Sequence, residues 1–345
     1  MPQPTPPDPN AEVECLSRAQ AGDTAAFDRL MAPHRRQLHA HCYRMLGSPF
    51  DADDALQETL LAAWRGLAGF EARSALGTWL YRIATHVCLR MVSQRPRRIT
   101  SPEHGAPLQA TAELGEPVAG PVWLEPLPDE EWASATSPED PASTLQRREH
   151  VALAFVAALQ HLPGTQRAVL LLREVLEYSA AETAAMLGTS VASVNSALQR
   201  AQKTVKERMP AAHAQQHPPL GGQQARDELL ARFVRAWEQR DIAAMASLLA
   251  EDARFTMPPL PAWFDGRRFA LMFFAERVFQ TPWRLQPLHG NGQAGFACYL
   301  QQAGDEHFRP GGVVLLRLRS GLIGSIDSFI DPAVCRRFGM PDVLL

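Results

Sequence analysis

Cysteine is scarce in this 345-residue chain and shows no pairing: Cys15, Cys42, Cys88, Cys298 and Cys335 form no CxxC and no repeated spacing. An odd, scattered set argues against a disulfide framework and fits reduced thiols in a cytoplasm. No apolar run reaches about 18 residues, so no membrane span is expected. The opening decapeptide, MPQPTPPDPN, has neither the basic nor the apolar stretch of a secretory signal. His39, His41 and Cys42 come nearest to a metal cluster. Their spacing matches no common zinc pattern, and a helix surface with one buried thiol explains them better. Neither a metal nor another cofactor is expected. Net charge is only −3, which argues against a chain that coats DNA indiscriminately.

What is present is ample apolar content and a sharp segregation of charge. An apolar share of 46% supports buried cores, and the length suggests two or three domains. Arg65 to Arg98 holds seven arginines and one acid, Glu71; Thr100 to Gln146 holds nine acids and no lysine or arginine. A basic block followed by an acidic one points to an electrostatic partner such as nucleic acid.

Residues 1–11 are proline-rich and expected to be disordered. Two helices follow to Leu46, split at Ala21-Gly22-Asp23, with Asp23 or Thr24 as a cap. Asp51 to Leu67 is a strong helix, since Leu56, Leu60, Ala63, Trp64 and Leu67 recur at helical spacing. Ser74 is placed to cap a further helix that Pro96 stops. Residues 99–144 are acidic, rich in proline and without period, so they read as a linker. Trp123, Leu124 and Trp132 are unusual in a passive spacer and suggest docking. Helices resume from 145 to 209, with a Gly-containing turn between AAETAAMLG and VASVNSALQRAQ. Residues 210–222 form a second linker. From 223 onward an amphipathic helix pair precedes β-like stretches, ARFTMP, GFACYLQQ, GGVVLLRLRS and LIGSIDSFI, with a Ser320-Gly321 hairpin turn. The fold class is multidomain: two all-α domains and a C-terminal α+β domain with a curved antiparallel sheet.

Helix, turn, helix over Ala180 to Lys206 is a DNA-reading pattern whose second helix enters the major groove. Its outward positions would be Ser193, Asn195, Ser196, Gln199 and Arg200, with Lys203 and Lys206 near phosphate. Asn and Gln can pair with adenine and Arg with guanine. Ala184, Leu187, Val191, Val194 and Leu198 would supply the core. The plainer alternative is a helical hairpin with a solvated polar face. Arg73, Arg82, Arg90, Arg95, Arg97 and Arg98 could neutralise phosphates, while Trp79 and Tyr81 could stack an unpaired base. Equally, the aromatics could be core and the arginines a solvated face.

DADDALQETLLAAWRGL followed by FEARSALGTWLYRIATHVCLRM resembles region 2 of the bacterial extracytoplasmic-function (group 4) sigma factors, and LPGTQRAVLLLREVLEYSAAETAAMLGTSVASVNSALQRAQ resembles region 4. The resemblance implies a promoter-specificity subunit of RNA polymerase that is not itself an enzyme. Region 2 (12–98) would bind the polymerase and the −10 element; region 4 (145–209) would read the −35 element. Asp51, Asp53, Asp54, Gln57 and Glu58 would meet the β′ clamp helices, and region 4 the β flap. Arg73, Ser74, Trp79, Arg82, Arg95, Arg97 and Arg98 would capture the melted −10 strand, where a flipped base must be offset by its pocket. Ser193, Asn195, Ser196, Gln199, Arg200 and Lys203 would read the −35 element. The acidic linker resembles those that thread the polymerase's RNA path. On the −35 face Arg200 is the only guanidinium beside Asn195, Ser196, Ala197 and Gln199, so base preference does not carry over and shape readout gains weight.

Residues 223–345 resemble the SnoaL-like, NTF2-like cone, as in sigma factors of the sigma-G/sigma-J type, where a fused domain modulates activity through intramolecular contact with the sigma regions. The fold has enzymatic relatives. Asp252, His289, His307 and Asp327 are the candidates for chemistry, and surface or hairpin roles suit them better. The alternatives are a helix-turn-helix factor that works without polymerase, and a small-molecule-binding or enzymatic SnoaL-like domain fused to a DNA-binding protein.

Overall fold

The computed structural model describes residues 9–120, 122–132, 152–209 and 222–344. The chain divides into two compact units that do not follow chain order: Met1–Arg95, Glu130–Ser137 and Leu162–Gln202 form one, and Pro96–Asp129, Pro138–His161 and Lys203–Leu345 the other. The expected limits at 99–144 and 145–209 therefore cut across the compact units.

The first unit is helical. α1 (Pro9–Gln20) and α2 (Thr24–Leu46) are split by Gly22 at φ 94°, and Asp23 caps α2 through the Ala26 amide. The helix thus begins inside the proline-rich opening; residues 1–8 lie outside the described residues. Ser48 caps α3 (Pro49–Gly66), with proline at its first turn. Ala52, Ala55 and Ala63 are fully buried, and these small side chains let the helices approach closely. α4 (Leu76–Gln94) stops just before Pro96 as expected. Its cap is not Ser74, which stays exposed: Ala75 holds that position without a side-chain bond, and the preceding Ala72 sits at φ 53°.

α5 (Ser101–His104), α6 (Asp129–Trp132) and α7 (Leu153–Gln160) precede α8 (Gly164–Leu170), which runs into a π-helical turn, Leu171–Val175. A Cβ at Gly164 would stand 3.2 Å from Leu89 and 3.3 Å from Val92, so glycine is what lets α8 begin against α4. Buried Arg167 donates to the Met45 carbonyl at the C-terminal end of α2, a charge placement the helix dipole favours. α9 (Ala180–Leu187) opens on a Ser179–Glu182 capping box and closes on left-handed Gly188; α10 (Val191–Arg208) follows.

In the second unit α11 (Gly222–Glu238) and α12 (Ile242–Leu248) lead into β1 (Leu249–Thr256), β2 (Trp263–Asp265), α13 (Arg267–Glu276), β3 (Trp283–Gly290), β4 (Gln293–Leu300), β5 (Arg309–Arg319), β6 (Leu322–Phe329) and α14 (Pro332–Arg337). The sheet order is β2-β1-β6-β5-β4-β3. The expected antiparallel sheet is mixed, because β1 and β6 pair in parallel. Ser320 and Gly321 both have positive φ, as the tight β5–β6 hairpin requires. One face of the sheet carries a core dominated by Phe233, Trp237, Phe255, Phe273, Phe274 and Phe296.

The linker up to Asp129 is built into this unit, in keeping with the docking that Trp123 and Leu124 suggested. The Leu108 amide bonds the Trp263 carbonyl at 2.8 Å, the Val118 amide that of Pro259 at 2.9 Å, and the Trp263 indole the Gly105 carbonyl at 2.8 Å. Leu108 and Leu114 pack on the aromatic core, and Trp123, Leu124 and Leu127 are buried. A segment without period can still be ordered when spaced apolar residues each find a socket and its backbone groups find partners. Residues 133–151, including the acids Glu139 and Asp140, lie outside the described residues.

Candidate polymerase and DNA interfaces

α10 is anchored by Val194, Ala197 and Ala201, and Val194 and Ala197 pack with Val169 and Ala184. That register turns Ser193, Asn195, Ser196, Gln199 and Arg200 outward, all exposed, with Lys203 further along the helix. Two expectations are corrected. Val191 is 44% exposed rather than core, and Ala197 is buried rather than on the reading face. The inward stripe steps 194, 197, 201, which leaves Val191 one turn too early to reach the core. Ser190 accepts from the Ser193 amide at 3.1 Å and so acts as the cap of α10. Lys203 has Glu207 one turn on at 3.9 Å.

The acidic face of α3 is partly committed inside the unit. Asp51 is buried and ion-paired with Arg95. Asp53 pairs with His39 at 3.0 Å, and Asp54 stands 3.7 Å from Arg95. Glu58 pairs with Arg90. Asp54, Gln57 and Glu58 remain exposed, beside Leu61 at 47% exposure. Such exposed pairs are weak, about 0–1 kcal/mol, and yield readily to a partner.

The basic segment divides into three parts. Arg73 and Ser74 are exposed, and among the described residues Arg73 pairs only with the nearby Glu71. Arg82 is exposed with no acidic partner among the described residues. Trp79 is half-buried, with its ring 5.0 Å from that of Phe70; a Cβ at Gly66 would lie 3.3 Å from the indole, so glycine admits this ring. Tyr81 is core, edge-on to His41 and Tyr178, and burial raises its phenol above the ordinary range.

The knot of Arg95, Arg97 and Arg98 is engaged internally. Arg95 holds Asp51. Arg97 meets Glu103 at 3.0 Å, and Arg98, 7% exposed, donates to the Trp123 carbonyl at 2.9 Å and faces Glu125 at 3.5 Å. The acidic linker supplies Glu103 and Glu125, so opposite charges of one chain neutralise each other.

His41 bonds the Thr85 hydroxyl at 3.0 Å, and burial depresses its imidazole to about 3. Trp132 lies edge-on to Tyr43, with Arg44 over its ring at 4.6 Å. Among the described residues no three histidines, cysteines or acids gather as a metal site. Asp252 is exposed and held below the usual carboxylate range by its bond with Arg319; His289 is exposed, and Asp327 bonds Thr256 and Ser325. Asp252 and Asp327 alternate with core residues of their strands and point to the other face, whereas His289 shares the face of Leu285 but lies at the exposed end of β3.

Three family models match in the same order as these surfaces: Sigma-70 region 2 over residues 30–98, Sigma-70 region 4 over 152–205, and a SnoaL-like domain over 230–325. The ECF RNA polymerase sigma factor SigG of Mycobacterium tuberculosis is 41% identical over 331 residues, covering 92% of this chain and 85% of that protein. The chain belongs to the ECF RNA polymerase sigma factors. SigM of the same organism is 34% identical over 191 residues, 55% of this chain and 81% of SigM. The crystal structure of Mycobacterium tuberculosis SigJ matches with a TM-score of 0.56 at 20% identity, covering 91% of this chain and 99% of that one, which shows a shared fold. This sigma factor is thus a promoter-specificity subunit of RNA polymerase with a SnoaL-like domain at its C-terminal end. No helix among the described residues is long and apolar enough to cross a membrane.

Proposed function

We propose that this sigma factor works through two separated DNA-reading surfaces and one polymerase surface, within functional limits of 12–98 for region 2, 145–209 for region 4 and 223–345 for the fused domain. The observation that carries this is the bare polar face of α10: Asn195, Ser196, Gln199 and Arg200 are exposed together on a helix whose other side is anchored. On this reading α10 lies in the major groove of the −35 element, and Lys203 meets phosphate. Region 4 rests on the β flap. Asp54, Gln57 and Glu58 of α3, with Asp53 at the edge, dock on the β′ clamp helices. Arg73, Ser74, Arg82 and the Trp79 ring receive the melted −10 strand. Arg95, Arg97 and Arg98 brace the fold in this arrangement, and Asp51 supports the polymerase surface from behind. The chain is non-catalytic, and its fused domain modulates initiation through the linker that packs on it.

The test is reconstitution of the full chain with core polymerase on a promoter, read by footprinting and run-off transcription. We expect a stable complex, upstream and downstream protection, and promoter-dependent transcripts. Duplex binding that is unchanged by core polymerase, with no transcription, would instead favour an ordinary helix-turn-helix factor.

A further inference from the structure

The aromatic core covers only one face of the C-terminal sheet. On the other face the strand register places Arg254 and Thr256 of β1 beside Ser325 and Asp327 of β6, with Arg317 of β5 next to Ser325. Here the sheet, the linker around Ser101 and Leu124, α7 and the end of α10 line an open cavity of about 270 Å³ within the second unit. It is small for a ligand pocket and mixed in character, as ligand sites are. Leu124, Leu153, Ala154, Ala157 and Phe329 give it an apolar side.

Its polar side is unfinished. Ser101 is 2% exposed, and its hydroxyl has no hydrogen-bond partner among the described residues. The Oε1 atom of Gln293, also in the lining, is buried and equally without a partner, although its Nε2 donates to the Leu316 carbonyl at 3.4 Å. Leaving a buried polar atom unpaired is costly, so two in one cavity point to a polar guest. The acids here are already satisfied. Asp327 accepts from Thr256 at 3.1 Å and Ser325 at 3.0 Å and faces Arg317 at 3.7 Å; Glu103 has Arg97 and His161, each at 3.0 Å. Positive charge remains. Among the described residues Arg254 has the exposed Asp265 at 3.0 Å as its one acidic partner and lies over the Trp263 ring at 5.9 Å, and Arg208 is exposed without an acidic partner.

We propose that this cavity binds a small organic carboxylate with an apolar body and a hydroxyl or amine donor. The carboxylate meets Arg254 and Arg208, the donor reaches Gln293 Oε1 and Ser101, and the body lies against the alanines of α7. Because the linker, α7, the end of α10 and the sheet all contribute to the walls, occupancy ties the linker and α7 to the sheet. This site lies on the opposite face from the aromatic core, and binding there needs no chemistry.

The test is calorimetric titration of the full chain with 4-hydroxyphenylacetate and its 4-amino counterpart, together with hydrogen exchange. We expect saturable one-to-one binding of at least one probe, and slowed exchange at 99–103 and 152–161. The alcohol analogue lacking the carboxylate should bind about tenfold more weakly, since charge-assisted bonds are the strong ones. Ala157→Phe should abolish binding by filling the cavity. Arg254→Gln alters an exposed side chain, keeps the melting temperature, and should weaken binding about tenfold. No heat and no protection with either probe at about 10 mM, a concentration at which even millimolar affinity would register, overturns the proposal. So does binding that is indifferent to Arg254→Gln and Ala157→Phe.

Discussion

Two stretches of this chain look alike as sequence and differ as structure. Both Arg90 to Arg98 and Ser193 to Lys206 place cations and polar residues where a nucleic-acid partner would be sought. The face of α10 is presented bare: Asn195, Ser196, Gln199 and Arg200 are all exposed. The arginines at the end of α4 and just beyond are engaged, by Glu58, Asp51, Glu103 and Glu125. A guanidinium that already has a carboxylate must give it up before it meets phosphate, whereas an exposed amide or guanidinium gives up only water. Charge in a sequence marks a capacity, and the fold decides whether an outside partner can use it.

The difference can be broken where it is sharpest. Arg98→Ala should destabilise the second unit by about 2–4 kcal/mol, because a buried, bonded charge is lost and the Trp123 carbonyl is left unpaired. Urea unfolding of the full chain measures this, and a change under about 0.5 kcal/mol, the range of ordinary surface substitutions, would return Arg98 to the DNA-facing set. Arg200→Ala should leave unfolding unaltered and weaken −35-dependent initiation by about 1–3 kcal/mol. Equal weakening on every promoter would reassign Arg200 to phosphate.

A pH profile sharpens the helical side. Burial holds His41 at about 3, against an ordinary 6.5. Between those values the unfolded chain takes up a proton that the folded chain refuses. Stability therefore falls as pH drops from 6.5 towards 3, by roughly 1.4 kcal/mol per unit from this one group. His41→Gln should flatten that part of the profile; an unchanged slope would place the titration elsewhere. The smallest expected effect is on α3. Asp54→Asn with Glu58→Gln should change stability by no more than about 1 kcal/mol, since both side chains are exposed. The same double variant should lower affinity for core polymerase, as read by fluorescence anisotropy. Full affinity would move the polymerase contact off this face.

The helices were legible where several signals agreed. Asp23 before α2, the apolar spacing in α3 and Pro96 after α4 are all visible in the sequence and all operate in the structure. The Ser320-Gly321 turn was equally plain. Two strands, β2 and β3, escaped, because WFD is very short and WRLQPLHG alternates poorly and contains Pro287. The linker's docking was signalled by Trp123 and Leu124, but where it docks was not legible, because its partners Trp263, Pro259 and Arg277 are distant in sequence and the contacts have no local period. For the same reason the cavity behind the sheet could not be read: Ser101, Gln293 and Arg254 meet only after folding. On α10 the period was right and its phase was off, by placing Val191 inside and Ala197 outside.

The most direct test of two separate DNA-reading surfaces is promoter selection from a randomised library by core polymerase reconstituted with the full chain. The account predicts two enriched sequence blocks at a fixed separation. Arg200→Ala should blur the upstream block alone, and Arg82→Ala with Arg73→Ala the downstream block alone. Failure of the chain to bind core polymerase, or loss of both blocks together from either change, would contradict it.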